Sequence, residues 1–130
     1  MSDRLAWQDD KLLIDDVAFY LQTRRDDARA MQPGYFTLFK SRPLIAAYLQ
    51  FFSLLGLRPR TLFEIGIWDG GSTAFWHEVF RPEKHIAIDR SVRGDSEYFD
   101  AYLDSRGGRN VIKTYWGTPR HDTLGLPHFW

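Results

Sequence analysis

The chain has 130 residues, 44% of them hydrophobic and 16% aromatic, which is enough for the packed core of one domain. Its 17 basic and 17 acidic residues give a formal net charge of zero, a balance that favours self-association and gives no support to a nucleic-acid partner. The sequence has no cysteine, no signal-peptide segment and no apolar stretch of the ~20 residues that a membrane span needs, so it excludes thiol chemistry and predicts a cytoplasmic protein with no membrane partner.

The first forty residues are predicted to form a helical extension. Leu13, Val17 and Leu21 recur at the spacing of helical turns, which predicts a helix over residues 9–30 with its charged face toward solvent. Pro33 and Gly34 then predict a turn. An aromatic connector follows, up to residue 40.

A second helix is predicted between Ser41 and Gly56. Ser41 is placed to cap its first turn, Pro43 suits that turn, and Gly56 is placed to end the helix. The segment is apolar nearly all round, so we expect the helix to be buried. Phe51 and Phe52 are expected to pack against a sheet, and the alternative is that they line a substrate pocket.

The stretch around which the chain is organised is E-I-G-I-W-D-G-G-S-T, at residues 64–73. The apolar run Leu62–Ile67 predicts a strand that is buried on both faces, the glycines predict a tight turn, and the residues up to Phe80 have helical spacing. Glycines let the backbone adopt positive φ and let a ligand approach, and the start of a helix offers unpaired N–H groups. This order of strand, turn and helix indicates a nucleotide-type cofactor site at the carboxyl end of a strand.

Two further strands are predicted, at Lys84–Asp89 and Asn110–Trp116, separated by a helix that Asp95 or Ser96 caps and Gly107 ends. The inward residues of that helix are predicted to be Phe99, Tyr102 and Leu103. The order β-α-β-α-β predicts an α/β fold with a partial Rossmann-like, doubly wound parallel sheet in the spatial order 3-2-1, preceded by two N-terminal helices. Residues 1–40 would be a helical extension, and residues 41–130 an incomplete cofactor-binding half-domain.

Acidic residues stand at the ends of two predicted strands. Asp89 ends the second strand, where a carboxylate can accept both hydroxyls of a ribose beside the glycine turn; the alternative is a surface turn residue. Glu64 lies just before the turn, where it is expected to contact the ligand; the alternative is a strand acid that caps the neighbouring helix. From its position among the glycines, Asp69 is expected to form the turn rather than to bind a ligand. The spacing from Gly66 to Asp89 agrees with a dinucleotide fingerprint, but Trp68 replaces the middle glycine, which disfavours a nicotinamide-dependent oxidoreductase half.

The motif at residues 64–73, together with I-A-I-D at residues 86–89, resembles the cofactor half of class I S-adenosylmethionine-dependent methyltransferases. Within that superfamily it is most similar to small-molecule O-methyltransferases of the cephalosporin-hydroxylase-like and macrocin-type groups, and the resemblance covers about residues 41–130. It implies S-adenosylmethionine as the cofactor, with Asp89 on the ribose hydroxyls, Arg90 near the adenine, and Thr118 where the family commonly has an acid. The cofactor contacts that it implies are Glu64, Gly66, Trp68, Asp69, Gly70, Gly71, Ser72, Asp89, Arg90, Gly117 and Thr118.

The family pattern stops before its fourth strand, so the resemblance implies a truncated enzyme half with no identifiable catalytic residue. His77 is expected to be a packing or surface histidine, and no metal site is predicted. The open edge of the first parallel strand is expected to be covered by the aromatic tail, by a second copy in a dimer or by a complementing chain. If the chain is active, its other partner is a small-molecule methyl acceptor. The alternative function is a non-catalytic module that binds a nucleotide-type cofactor weakly or contacts only a protein.

Overall fold

The computed structural model of the protein describes residues 2–22 and 35–117. Its strands are Leu5–Gln8 (β1), Lys11–Ile14 (β2), Val17–Leu21 (β3), Phe36–Leu38 (β4), Thr61–Ile65 (β5), Lys84–Asp89 (β6) and Ile112–Trp116 (β7). Its helices are Arg42–Leu55 (α1), Gly71–Phe80 (α2) and Glu97–Arg106 (α3), with short 3-10 turns at Ser2–Arg4 and Gly108–Asn110. The described residues form an α/β fold in which one sheet has the order β1-β2-β3-β4 and the other, parallel, sheet has the order β5-β6-β7.

The prediction of a helix over residues 9–30 is wrong for residues 9–22, which the structure describes. Residues 5–21 form three antiparallel strands instead. Two-residue turns join these strands, and the first residue of each turn, Asp9 or Asp15, has a positive φ of 54° or 53°. Aspartate tolerates the left-handed conformation that such tight hairpins require. A spacing of four residues fits one helical turn and also two strand repeats, so the apolar positions alone did not distinguish them. Among the residues that the structure describes, one α-helix therefore precedes β5 instead of two. Residues 23–30 and the turn predicted at Pro33 and Gly34 lie outside the described residues.

The aromatic connector contains β4, which pairs in parallel with β3 and is buried along its length. Its Phe36 ring stacks on Phe19 of β3 and meets Phe99 and Tyr102 of α3. The Phe19 ring also meets Phe75 of α2 edge-on, with the centroids 5.9 Å apart. Burial of each such ring stabilises the fold by roughly 2–3 kcal/mol. One apolar core therefore joins the N-terminal sheet to α2 and α3.

Helix α1 begins and ends as predicted. The Ser41 hydroxyl accepts a hydrogen bond from the Leu44 backbone N–H at 3.3 Å, Pro43 lies in the first turn, and Gly56 ends the helix with a φ of 62°. Both ends are therefore set by local capping chemistry that the sequence displays.

The predicted burial of α1 is wrong. Ile45 is buried, but Phe51 and Leu54 are 56% and 79% exposed. The helix packs through one side, where the Phe52 ring meets the Trp76 ring of α2. Phe52 thus packs against a helix rather than a sheet, and the apolar residues on the other side of α1 remain exposed because no described element covers them.

The three parallel strands lie in the expected spatial order, with β6 between β5 and β7. The bounds of β6 are those predicted, and α3 begins after Ser96, whose hydroxyl accepts from the Phe99 N–H at 3.1 Å. The predicted inward residues of α3 are all buried. This order brings the carboxyl ends of β5 and β6 side by side.

The prediction that β5 is buried on both faces is wrong. Within the described residues β5 is an edge strand, and Phe63 and Ile65 on one of its faces are 50% and 53% exposed. The opposite face has Glu64 and, on the neighbouring strand, the buried His85. Glu64 there is hydrogen-bonded to α2, so this helix covers that face of β5, and the Phe63 face is half exposed.

Candidate functional site

An open cleft of about 790 Å³ lies at the carboxyl ends of β5 and β6. Small-molecule ligands and cofactors occupy clefts of ~300–1,000 Å³, so this one is large enough for a nucleoside-sized ligand. Its wall combines the bend after β5, the residues after β6 and the segment around the end of β4. The lining residues are Thr37, Leu38, Phe39, Lys40, Ile65, Gly66, Ile67, Trp68, Ser72, Asp89, Arg90, Ser91 and Arg93.

Backbone hydrogen bonds, within the bend and to β6, hold the bend after β5. Gly66 has a φ of 101°, and its N–H donates to the Ile88 carbonyl at 2.7 Å, which extends the pairing with β6. Trp68 has a φ of 56°, and the Gly70 N–H donates to the Ile67 carbonyl at 2.9 Å. A positive φ is uncommon for a bulky residue and persists where the surrounding structure enforces it. The predicted strand–turn–helix arrangement is therefore present.

Asp89 ends β6 and reaches the bend. Its Oδ2 accepts hydrogen bonds from the backbone N–H groups of Ile67 at 2.9 Å and Trp68 at 3.5 Å, and its Oδ1 accepts from the Ser91 N–H at 2.8 Å. The residue is 9% exposed and lines the cleft. Asp89 thus ties the ends of β5 and β6 together and also forms part of the cleft wall.

Three of the predicted cofactor contacts face the protein instead of the cleft. A Cβ on Gly70 would lie 2.3 Å from the Phe99 ring, and one on Gly71 would lie 2.1 Å from the Thr37 carbonyl oxygen. Asp69 is buried; its Oδ2 accepts from the Thr37 N–H at 2.8 Å and its Oδ1 from the Gly71 N–H at 2.9 Å. Burial raises the pKa of Asp69 above the usual range of an aspartate. The two glycines let α3 and β4 approach the bend closely, and Asp69 binds β4 and acts as a turn former.

Glu64 points toward α2. Its Oε2 accepts from the Ser72 hydroxyl at 2.5 Å, and its Oε1 accepts from the Thr73 hydroxyl at 2.7 Å. The same Oε1 lies 2.9 Å from Nε2 of the buried His85. Glu64 is not one of the lining residues. Glu64 therefore contacts α2, as in the alternative considered from the sequence, but it accepts from two side-chain hydroxyls rather than capping backbone N–H groups.

The remaining predicted contacts divide between the cleft and its surroundings. Ser72 and Arg90 line the cleft together with Gly66, Trp68 and Asp89. Gly117 ends β7 with a φ of 75° and donates its N–H to the Ser91 carbonyl at 2.7 Å, so it holds the loop after β6 without lining the cleft. Thr118 lies outside the described residues.

The sequence reasoning did not identify Phe39, Lys40 and Arg93, which also line the cleft. The Arg93 guanidinium lies 4.2 Å from the Trp68 ring centroid, and the Phe39 ring meets that of Trp68 edge-on at 5.6 Å. The indole Nε1 of Trp68 is buried and has no hydrogen-bond partner among the described residues. These residues come from separate parts of the chain, so no local sequence pattern predicts that they contact one another.

A second group of polar side chains is buried at α2, apart from the cleft. The Glu78 carboxylate accepts from the Tyr102 hydroxyl at 2.5 Å, and Arg4 and Arg81 lie 3.1 Å and 3.0 Å from its Oε1. His77 is buried beside it with an unpartnered Nδ1, and burial lowers the pKa of His77 to about 4. This group joins α2 to α3 and to the N-terminal 3-10 turn, and His77 is a packing residue.

Within residues 2–22 and 35–117, no helix is long and apolar enough to cross a membrane, and no three histidine or acidic side chains come together as metal ligands. Comparison of the chain with protein-family models, with curated proteins and with solved structures gives no match. A functional proposal therefore depends on the geometry of the cleft.

Proposed function

We propose that this chain is the cofactor-binding half of an S-adenosylmethionine-dependent methyltransferase that acts on a small molecule. The observation that carries the proposal is the position of Asp89, at the end of β6 and hydrogen-bonded to the bend after β5, where both features line one cleft. In open α/β sheets, ligands bind in such crevices at the carboxyl ends of the strands. The order β5-β6-β7 is that of the first half of a Rossmann-like sheet, which we propose as the architecture of this domain.

The residues of the cleft fit an adenosyl ligand. A carboxylate has about four lone-pair sites, and three backbone N–H groups already donate to Asp89. A ribose hydroxyl that binds Asp89 would therefore replace the longest of these contacts, the one from the Trp68 N–H at 3.5 Å. Gly66 presents backbone without a side chain to the cleft, and Ser72 lies there in the first turn of α2. When bound, S-adenosylmethionine supplies an activated methyl group on its sulfonium. The contribution of the chain is to bind and orient, because methyl transfer mainly requires proximity and alignment.

Calorimetry with S-adenosylhomocysteine and with NAD tests the cofactor class. Binding of S-adenosylhomocysteine alone supports the proposal. Binding of NAD alone would favour the nicotinamide-dependent class that the glycine spacing disfavours. Binding of neither ligand would overturn the proposal and favour the non-catalytic candidate below.

The substitution Asp89→Ala tests the ribose contact. We expect it to weaken S-adenosylhomocysteine binding at least tenfold, which corresponds to about 1.4 kcal/mol. Because Asp89 also anchors the bend, the matched control is Asp95→Ala. Asp95 accepts from the Thr114 hydroxyl at 3.1 Å and from Trp116 Nε1 at 2.8 Å, so it anchors a strand end without lining the cleft. If the two variants weaken binding equally, the ribose assignment is wrong.

A second candidate function is a non-catalytic module that contacts another protein. Exposed apolar side chains favour it, since Phe51, Leu54 and Leu55 on α1 and Phe63 and Ile65 on β5 are each at least half exposed. An edge strand such as β5 can also accept a strand from another chain. The partner would be a second copy of this chain or a complementing chain. Sedimentation at increasing concentration tests this candidate, and a protein that stays monomeric at high concentration argues against self-association.

A further inference from the structure

Three positively charged side chains line the same cleft. Lys40 follows β4, and Arg90 and Arg93 follow β6. Asp89 is the one acidic residue among the described residues that line the cleft, and it accepts hydrogen bonds from the backbone of the bend. The cleft wall therefore has a formal excess of two positive charges, although the whole chain is formally neutral.

Neither Lys40, Arg90 nor Arg93 forms an ion pair with an acidic side chain in the part of the chain that the structure describes. By contrast, Arg81 is paired with the buried carboxylate of Glu78 at 3.0 Å. A net excess of charge of one sign in a concave site raises the local concentration of ligands of the opposite sign. The three cations thus indicate an anionic ligand.

The contacts of Arg93 and Lys40 position them while keeping their charge available. The Arg93 guanidinium lies 4.2 Å from the Trp68 ring centroid and 5.5 Å from that of Trp116. Stacking occupies the flat faces of a guanidinium and leaves its N–H groups at the edge, where they match the oxygens of a carboxylate or phosphate. The Lys40 Nζ lies 5.9 Å from the Tyr48 ring centroid, and Lys40 directly follows Phe39, whose ring packs against Trp68. Trp68 therefore helps to fix both sides of the wall.

We propose that the cationic wall, formed by Lys40, Arg90 and Arg93, binds an anionic methyl acceptor, a small molecule with a carboxylate or phosphate group. The assignment rests on the proposed function, in which Asp89 binds the ribose of the cofactor. S-adenosylmethionine has a sulfonium, an ammonium and one carboxylate, so it adds positive charge to the cleft instead of neutralising the wall. The acceptor is then the component that supplies the negative charge.

Isothermal titration calorimetry with three probes tests the proposal, each in the presence and absence of S-adenosylhomocysteine. Benzoate and inorganic phosphate represent the two kinds of oxyanion, and benzamide is a neutral control of nearly the same shape as benzoate. We expect benzoate or phosphate to bind, also in the presence of S-adenosylhomocysteine, and to bind at least about tenfold more tightly than benzamide. The anion that binds more tightly identifies the acceptor group. Binding should weaken as ionic strength rises.

Single substitutions of the wall residues by glutamine locate the site. We expect Lys40→Gln, Arg90→Gln and Arg93→Gln each to weaken anion binding by about threefold or more, and the triple variant to lose it. The matched control is Arg58→Gln, because Arg58 is an exposed arginine that does not line this cleft. A denaturant unfolding curve for each variant separates lost binding from lost folding.

The outcomes separate this inference from the proposed function. A protein that binds S-adenosylhomocysteine and neither anion retains the proposed function and overturns the anionic acceptor. Displacement of the anion by S-adenosylhomocysteine would assign the cations to the cofactor's own carboxylate and also overturn the inference. Anion binding without S-adenosylhomocysteine binding overturns the proposed function and, with it, the acceptor role. Anion binding that the triple variant retains shows that the wall is not the site.

Discussion

The substitution Gly71→Ala tests how the cleft wall is held against α2. An ideal Cβ at this position would lie 2.1 Å from the Thr37 carbonyl oxygen and 3.0 Å from Asp69 Oδ1, whereas ordinary contacts begin at 3.4 Å. The obstacle at 2.1 Å is backbone of β4, which cannot rotate away as the end of a side chain can. Thr37 would have to move by about 1 Å or more, which would also strain the hydrogen bond from its N–H to Asp69.

Two effects of opposite sign decide how much Gly71→Ala changes the free energy of unfolding. Gly71 is the first residue of α2 and does not have a positive φ, so alanine suits its backbone and would stabilise a helix interior by up to about 1 kcal/mol. Overpacking costs roughly 1–3 kcal/mol, and weakening a buried hydrogen bond to a carboxylate costs a further ~1–2 kcal/mol. We therefore expect Gly71→Ala to lower the free energy of unfolding by about 2 kcal/mol and Tm by roughly 5–10 °C.

Urea unfolding followed by circular dichroism measures the stability of this variant, and calorimetry with S-adenosylhomocysteine measures the cleft. The control is Gly107→Ala: Gly107 has a φ of 64° and open space around its Cβ position, so only the left-handed backbone is penalised, by about 1 kcal/mol. We expect the control to leave ligand binding unchanged. A Gly71→Ala protein as stable as the parent would refute the packing of β4 against the start of α2, and with it the cleft wall described above.

Three further predictions concern single side chains. Glu64→Gln should lower the free energy of unfolding in urea by about 1–2 kcal/mol, because Glu64 accepts a hydrogen bond from the Ser72 hydroxyl. The affinity for S-adenosylhomocysteine, measured by calorimetry, should change by less than about threefold. A large loss of affinity with unchanged stability would show that Glu64 contacts the ligand. Burial lowers the pKa of His77 from 6.5 to about 4, so the unfolded state binds more protons between these values. Stability should therefore fall as pH drops from 7 toward 4, with a contribution on the order of 2 kcal/mol, and His77→Phe should flatten this part of the pH dependence of urea unfolding. Finally, Phe63→Lys should shift any self-association to higher protein concentration in sedimentation experiments, and an equal effect of Lys11→Gln, far along the chain from β5, would show that charge alone is responsible.

The central strand, turn and helix could be predicted because their signals are local. Ser41 and Ser96 cap helices with hydrogen bonds to N–H groups three residues on, and Gly56 ends a helix in the conformation that glycine adopts most easily. The apolar run of β6 and its terminal Asp89 are likewise contiguous in sequence. Each of these features depends on residues within one or two turns of the chain, so the sequence displays the whole interaction.

The N-terminal strands were not predicted, because the turns that separate them lie in a segment whose apolar spacing also fits a helix. Asp9 and Asp15 begin two-residue hairpin turns, but consecutive aspartates are equally acceptable on the exposed face of a helix. Pairing between the strands, together with burial of Phe19 against Phe75, settles the choice. These contacts join residues far apart in sequence, and periodicity within one segment carries no information about them.

The sequence by itself determined the parallel β-α-β-α-β segment, its caps and the acid that stands beside the glycine bend, since all of these follow from short-range hydrogen bonding and apolar periodicity. Only the tertiary structure decided that Glu64 contacts α2, that one side of α1 stays exposed, and that Lys40 and Arg93 meet around Trp68. The physical reason is that exposure and electrostatic environment depend on which elements pack together. Packing is a property of the whole fold, and no residue type or spacing encodes it alone.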